Sequence, residues 1–370
     1  MKVLHIANGY YKSGVYKELF SAMDILGIER DVFVPINKKE VIPKNSDVKV
    51  HTVQNFNNFD RLLFYTKQRK ILDSIKNNID LSKIDIIHAH TVFSGGFAAL
   101  QLKREYGIPY VVAVRNTDIN YFFKYMLHLR KVGEEILSNA DRVYFISPAY
   151  KRQLLDSVVS KKTLSIIKKK CSVVPNGVAK IFLNNKEFKI KPTNRNINII
   201  YAGNVTKNKN LEIIINAINI LKKEAYDISL IVVGNIEDDK YKRIIDYNTY
   251  IDYHEKCPHE QLITFYRQAD IFIMLSHKET FGLVYAEAMS QGLPILYTRN
   301  QGFDGFFPDG YVGYSTSDVN VTEVVDNVKK ILNNYDAISR NCFDSVEVFD
   351  WMKIAKIYEV DYQGIIRNRV

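Results

Sequence analysis

The chain has 370 residues, 46% hydrophobic and 25% charged, with three scattered cysteines, Cys171, Cys257 and Cys342. This composition excludes wholesale disorder, collagen and a disulfide or CxxC zinc scaffold, and it suits two domains in a reducing compartment. The net charge of +10 lies wholly in the first half: residues 1–178 hold 28 Lys and Arg against 16 Asp and Glu, the remainder 23 against 25. Such asymmetry points to nucleic acid or an anionic membrane face, or simply to a solvated lysine-rich surface.

Short apolar runs alternate with amphipathic ones. Strands are expected at Val3–Ala7, Asp31–Pro35, Ile84–Ala89, Tyr110–Val114, Arg142–Ile146 and Cys171–Val174, with helices at Ser13–Leu26 and Phe93–Tyr106. The turn Val174-Pro175-Asn176-Gly177-Val178 breaks both patterns and marks a hinge. After a lysine-rich linker, Phe182–Arg195, the pattern restarts. Strands are expected at Asn198–Ala202, Ile228–Val233, Ile271–Leu275 and Pro294–Tyr297, and helices at Leu211–Lys223, Gln261–Gln268 and Leu283–Gln291. The chain closes on a helix, Trp351–Ile365. Alternating strands and helices predict two doubly wound α/β domains, with ligands outside the carboxyl ends of the strands. No stretch approaches the ~20 apolar residues of a membrane span, and MKVLHIANGY is too short for a signal-peptide core, so a cytoplasmic location is expected.

Two strand-to-helix junctions carry candidate chemistry. In Ser276-His277-Lys278-Glu279-Thr280-Phe281-Gly282-Leu283, a loop runs into a helix whose unpaired N–H groups and dipole favour an anion; Glu279 lies in the loop and Glu287 eight residues on. In Gly203-Asn204-Val205-Thr206-Lys207-Asn208-Lys209, a glycine and two lysines suit a diphosphate. Each could instead be a solvated loop. No G-x-G-x-x-G follows a strand, which leaves a nicotinamide cofactor without support. In the first half, Arg115, Asn116, Thr117 and Asp118 cluster at a strand end, and Gly9 and Gly14 lie in the first strand-to-helix loop. His88 and His90 share a strand face but lack a third metal ligand, so substrate-contacting or structural histidines are expected, and no metal.

Together these pieces resemble the retaining GT-B glycosyltransferases of family 4, the group 1 glycosyltransferases. The likeness rests on Glu279 to Glu287 as an E-x7-E motif, on Gln291-Gly292-Leu293-Pro294, on Pro175-Asn176-Gly177-Val178, on Gly203 to Lys209, and on the Trp351 region. It implies two Rossmann-like domains facing across a cleft: an N-terminal acceptor domain, 1–178 with 352–370 crossing back, and a C-terminal donor domain, 179–351. It implies that Lys209 holds the donor diphosphate with Gly203, the amides of Thr280, Phe281, Gly282 and Leu283, and Gly14. Glu279 would contact the sugar hydroxyls and Glu287 the ribose. Two departures stand out: Asn204 replaces the family's arginine, with Lys207 as the substitute cation, and Arg115 replaces its histidine. Asp118 is the expected acceptor contact.

The resemblance implies front-face transfer from a nucleotide-diphosphate sugar, uridine being the expected base, with no cofactor or metal. The basic first half, with Arg61–Lys70, Phe122–Lys131 and Lys161–Lys170, suits a glycan or polyprenyl-diphosphate-linked acceptor in surface or capsular polysaccharide synthesis, and an anionic membrane surface as partner. A sugar-nucleotide epimerase of the same architecture and a non-catalytic sugar-nucleotide-binding protein are the alternatives; nucleic acid is not expected, for want of a basic recognition helix or stacking platform.

Overall fold

The computed structural model describes residues 1–12, 14–42, 47–61, 63–192 and 196–369. Ser13, Leu62 and residues 193–195, on which parts of the expected first helix, basic stretch and linker fall, lie outside them. The chain divides into two compact units, one of Met1–Ile146, Tyr150–Pro175 and Trp351–Val370, the other of Ser147–Ala149 and Asn176–Asp350.

The first unit is built on seven parallel strands: β1 Lys2–Ile6, β2 Glu29–Asn37, β3 Val50–Phe56, β4 Ile86–Ala89, β5 Tyr110–Val114, β6 Arg142–Phe145 and β7 Cys171–Val173, in the order β3-β2-β1-β4-β5-β6-β7. Side chains alternate between two apolar layers. Leu4, Ile6, Ile87, Val112 and Val114 face the helices Phe64–Asn78, Phe97–Tyr106 and Arg130–Asn139. Val3, Val32, Ile86, Val111 and Ala113 face the helices Val15–Ile25 and Trp351–Arg367, which pack on each other. The C-terminal helix thus belongs to the first unit. It is also tied there by polar contacts, Tyr144 Oη donating to Asp361 Oδ2 at 2.9 Å.

The second unit holds six parallel strands: β8 Asn196–Ala202, β9 Asp227–Val233, β10 Ile251–His254, β11 Ile271–Met274, β12 Ile295–Thr298 and β13 Gly313–Thr316, ordered β10-β9-β8-β11-β12-β13. The two halves are α/β and doubly wound. Three strands escape the apolar-run criterion, β3, β10 and β13, and all three are sheet edges. β3 and β10 are mostly half-exposed, and β13, Gly-Tyr-Ser-Thr, carries one large apolar side chain. Edge strands need no continuous hydrophobic run, so periodicity alone does not mark them. Where a helix was expected from Phe93, a π-helical turn, Val92–Gly96, comes first and the α-helix begins at Phe97.

The fold also supplies the third histidine that sequence spacing did not. His5 on β1 stands opposite His88 on β4, and potential ligand atoms of His5, His88 and His90 lie within 4.8 Å of one another. The rings of His88 and His90 stack at 4.1 Å with 13° between planes, which sends their in-plane lone pairs along nearly parallel sheets rather than to one point. His5 Nδ1 meets His90 Nε2 at 3.0 Å, and His88 Nδ1 meets Tyr362 Oη of the C-terminal helix at 2.5 Å. The arrangement is that of a neutral, ring-packed core under the C-terminal helix.

Burial lowers the pKa of all three histidines, His5 to about 3, so the folded chain takes up protons on them only far below the range in which the unfolded chain does. Their contribution to stability is therefore full above pH ~6.5 and is lost as pH falls below it, each ring adding a slope of about 1.4 kcal/mol per pH unit. Raised carboxyls, Asp118 and Glu287, act in the opposite sense. They are common to a His90→Leu chain, so that variant should lose stability less steeply than the parent in urea unfolding between pH 6.5 and 5. An unchanged slope would mean that His90 is not held neutral.

Candidate active site

In the second unit β8 and β11 are neighbours, with Ile199 opposite Ile271, so the loops at their carboxyl ends must run side by side. The loop after β8, Gly203–Asn210, leads into the helix Leu211–Lys223; the loop after β11, Leu275–Gly282, leads into the helix Leu283–Ser290. The two loops are stitched together by asparagine. The His277 N–H donates to the Asn208 carbonyl at 2.8 Å, the Lys278 N–H to Asn208 Oδ1 at 3.1 Å, and Asn208 Nδ2 to the Lys278 carbonyl at 2.9 Å. Asn210, left-handed at φ 54°, donates through Nδ2 to the carbonyls of Leu275 and Asp318.

This stitching brings together the two residues to which the sequence reading assigned diphosphate and sugar. Lys209 Nζ lies 2.5 Å from Glu279 Oε2 across 70 residues of sequence, both side chains mostly buried. The Glu279 loop is fixed in turn. The Thr280 N–H donates to Glu279 Oε1 at 3.0 Å, the Glu279 N–H to Gln301 Oε1 at 3.1 Å, and the Gly302 N–H to the Glu279 carbonyl at 2.8 Å. Only glycine fits at 302, where a Cβ would fall 2.3 Å from the Thr280 carbonyl carbon.

The other candidates of this unit take distinct places. Gly282 caps its helix in the left-handed region, φ 78°, against the Tyr285 ring. Leu283 and Thr280 are half-buried, but the Phe281 side chain is buried against Phe306 and Phe349, which leaves only its backbone to face a ligand. Gly203 packs on Gly234, where a Cβ would stand 2.1 Å from the Gly203 carbonyl oxygen. Asn204 turns its Nδ2 to Glu237 Oε1 at 2.9 Å, while Lys207 is exposed. Glu287 is buried beside Tyr266, whose Oη donates to Oε2 at 3.2 Å; desolvation pushes its carboxyl up to about 7, where it can donate as well as accept.

A cavity of about 160 Å³ opens beside these loops, lined by Gly203, Gly234, Lys256, Cys257, Leu262 and Val284 among others. The sequence reading missed Lys256 and Cys257. Their signal is positional: they follow the carboxyl end of β10, the same edge that carries the other loops.

In the first unit Asp118, the expected acceptor contact, is buried at a junction of two loops. It is 1% exposed, and its carboxylate accepts from the N–H groups of Arg115 at 2.8 Å, Val92 at 3.1 Å and Phe93 at 3.2 Å. Three donors occupy it, although burial outweighs them and pushes its pKa up to about 6. Asp118 joins the loops that follow β4 and β5. Arg115 lies beside it, half-buried, with Nε donating to the His90 carbonyl at 3.3 Å. Gly14 caps the helix Val15–Ile25 with φ −63°, and among the described residues nothing lies within 4 Å of a built Cβ. No backbone or packing demand requires glycine there, so what it contributes is an open helix N-terminus.

Comparison with known proteins gives two family matches in tandem. Glycosyltransferase Family 4 matches residues 15–180, and Glycosyl transferases group 1 matches residues 184–344. The capsular polysaccharide biosynthesis glycosyltransferase CapM of Staphylococcus aureus is 24% identical over 65% of this chain and 64% of its own. Among solved structures, sucrose-phosphate synthase from Thermosynechococcus elongatus superposes with a TM-score of 0.74 over 100% of both chains at 17% identity. Anabaena HepE, solved in complex with UDP-glucose, gives a TM-score of 0.67 over 98% of this chain and 100% of its own at 15% identity. With these matches covering both units and the E-x7-E residues placed at a strand-to-helix junction, the chain belongs to the group 1, family 4 glycosyltransferases and has the GT-B fold.

Proposed function

We propose that the protein transfers a sugar, with retention, from a UDP-sugar to a glycan or polyprenyl-diphosphate-linked acceptor in surface or capsular polysaccharide synthesis, at the inner face of a membrane. The observation that carries the donor assignment is the Lys209–Glu279 pair at two adjacent strand-to-helix junctions. A diphosphate needs a cation and oriented N–H groups, and a sugar needs an acceptor of hydroxyl hydrogen bonds; the pair supplies both beside a helix N-terminus. HepE binds UDP-glucose and CapM serves capsule synthesis, which supports the choice of donor and pathway.

In this reading the second unit is the donor domain and the first the acceptor domain. Lys209 is drawn from Glu279 towards the diphosphate, with the exposed Lys207 as a second cation in place of the arginine that Asn204 replaces. The amides of Phe281, Gly282 and Leu283, joined by that of Thr280 once Glu279 Oε1 leaves it, complete the anion cradle; Gly203, whose N–H is held by the Val233 carbonyl, keeps room beside it, and the open helix start at Gly14 offers a further positive end. Glu279, released from Lys209, accepts hydrogen bonds from sugar hydroxyls. Glu287 takes the ribose hydroxyls. Arg115, permanently protonated, stabilises the leaving phosphate rather than acting as a base. The acceptor oxygen bonds to the anomeric carbon on the face from which the phosphate departs, and its proton passes to the departing phosphate oxygen. Lysine, guanidinium and backbone N–H groups carry the charge neutralisation, so the reaction runs without a metal.

A panel of nucleotide sugars scored by thermal shift tests the donor assignment. A UDP-sugar at 100 times its Kd should stabilise the fold by about 2.7 kcal/mol, with or without EDTA. No shift with any nucleotide sugar at millimolar concentration would overturn it, and an EDTA-sensitive shift would overturn the metal-free reading. An epimerised sugar formed without acceptor would replace transfer by epimerisation. The Lys209→Met chain should keep its fold yet lose about 10²-fold in transfer rate, as expected for one deleted group that neutralises the leaving charge; full activity would remove Lys209 from the site.

A further inference from the structure

Two basic, aromatic segments lie far apart in sequence and are brought together in the first unit. One opens the helix Phe64–Asn78; the other spans the turn after β5, Tyr121–Leu127. Their contact is Phe64 on Phe122, ring centroids 6.4 Å apart, with Phe122 stacked on Phe93 at 4.5 Å. Phe64, Phe122 and Met126 are sunk against the core. Around them the chain leaves large side chains in solvent: Leu63, Tyr65 at 55% exposure, Tyr121, Tyr125 at 63% and Leu127 at 59%. Tyr121 and Tyr125 are themselves neighbours, 6.4 Å apart. Scattered exposed apolar residues are ordinary, but a contiguous group of this kind marks an interaction surface.

The two segments themselves are basic. Residues 62–72 and 119–133 contain no acid, and they carry Lys67, Arg69, Lys70, Lys124, Arg130 and Lys131. The nearby Asp60 is held by Lys70 at 2.7 Å. Lys124 lies 5.3 Å from the centre of the Tyr125 ring. Tyrosine and leucine ringed by lysine is the side-chain set that settles at the headgroup level of an anionic bilayer, the rings and aliphatic tips entering the interface and the cations meeting lipid phosphates.

We propose that this patch docks the protein on an anionic phospholipid surface. The proposal rests on the transfer reading only in taking the first unit as the acceptor side; the docking itself is a property of the patch. The segment Tyr121–Leu127 follows the carboxyl end of β5, as Arg115 does. A membrane engaged there is on the strand-end side of the sheet that carries Arg115.

The full chain should co-sediment with phosphatidylcholine vesicles containing phosphatidylglycerol, and not with phosphatidylcholine alone, at low salt. Replacing Lys124 and Lys131 by Gln should lower partitioning about 25-fold, about fivefold for each cation removed. Tyr65→Ser with Tyr125→Ser should lower it further at a salt concentration that screens the charges. Lys168→Gln with Lys169→Gln removes the same charge before the start of β7, at the opposite end of the parallel sheet, and should change partitioning less than twofold. Equal loss in this control would reduce the effect to net charge and overturn the patch. Failure to bind anionic vesicles, or displacement from them by a single-stranded oligonucleotide at matched charge, would overturn the membrane as its occupant. A donor-induced thermal shift without vesicle binding would leave the transfer reading intact, and vesicle binding without any donor shift would overturn the transfer reading alone.

Discussion

Parallel pairing is the constraint on which the site depends. In a parallel sheet every strand ends on the same edge, and each must be followed by a crossover that begins with a loop and a helix N-terminus. Because β8 and β11 are paired in register, the loops after them have no course except side by side. Asn208 and Asn210 convert that proximity into a fixed spacing through side-chain bonds to the facing backbone. The Lys209–Glu279 pair is a consequence of strand order and would not form with these strands elsewhere in the sheet.

The same economy governs charge in both units. Glu279 and Lys209 are mostly buried and compensate each other. Asp118 is deeper and accepts from three backbone N–H groups, which makes it a brace between loops. Glu287 has one hydroxyl donor and a carboxyl held near neutrality, a group able to change its bonding when a ligand arrives. The histidines avoid the desolvation cost by remaining neutral, and through Tyr362 they fasten the C-terminal helix to the sheet.

Much of the candidate site was legible because its residues sit at local punctuation. Gly282 and Gly203 mark turns with positive φ, and Glu279 and Glu287 bracket a helix start; these are short-range features that composition and spacing record. The edge strands β3, β10 and β13 were not legible: β3 and β10 are half-exposed and carry no long apolar run, and β13 is buried but holds one large apolar side chain. Lys256 and Cys257 were missed with β10 for the same reason. The bonds of Asp118 to the Val92 and Phe93 amides were not legible, because an acid at a strand end looks alike in sequence whether it faces solvent or caps a neighbouring loop.

By itself the sequence determined the class of fold, two rounds of alternating strand and helix, the family likeness carried by the E-x7-E motif and by Gly203 to Lys209, and the lopsided charge. These depend on periodicity and on residues within one or two turns of each other. Only the tertiary structure decided which groups meet: Lys209 with Glu279, His5 with His88 and His90, Asp118 with the amides of Val92 and Phe93, and the two aromatic segments at Phe64 and Phe122. Those meetings are set by strand order and register, which are long-range properties of a packed sheet and leave no mark in local spacing.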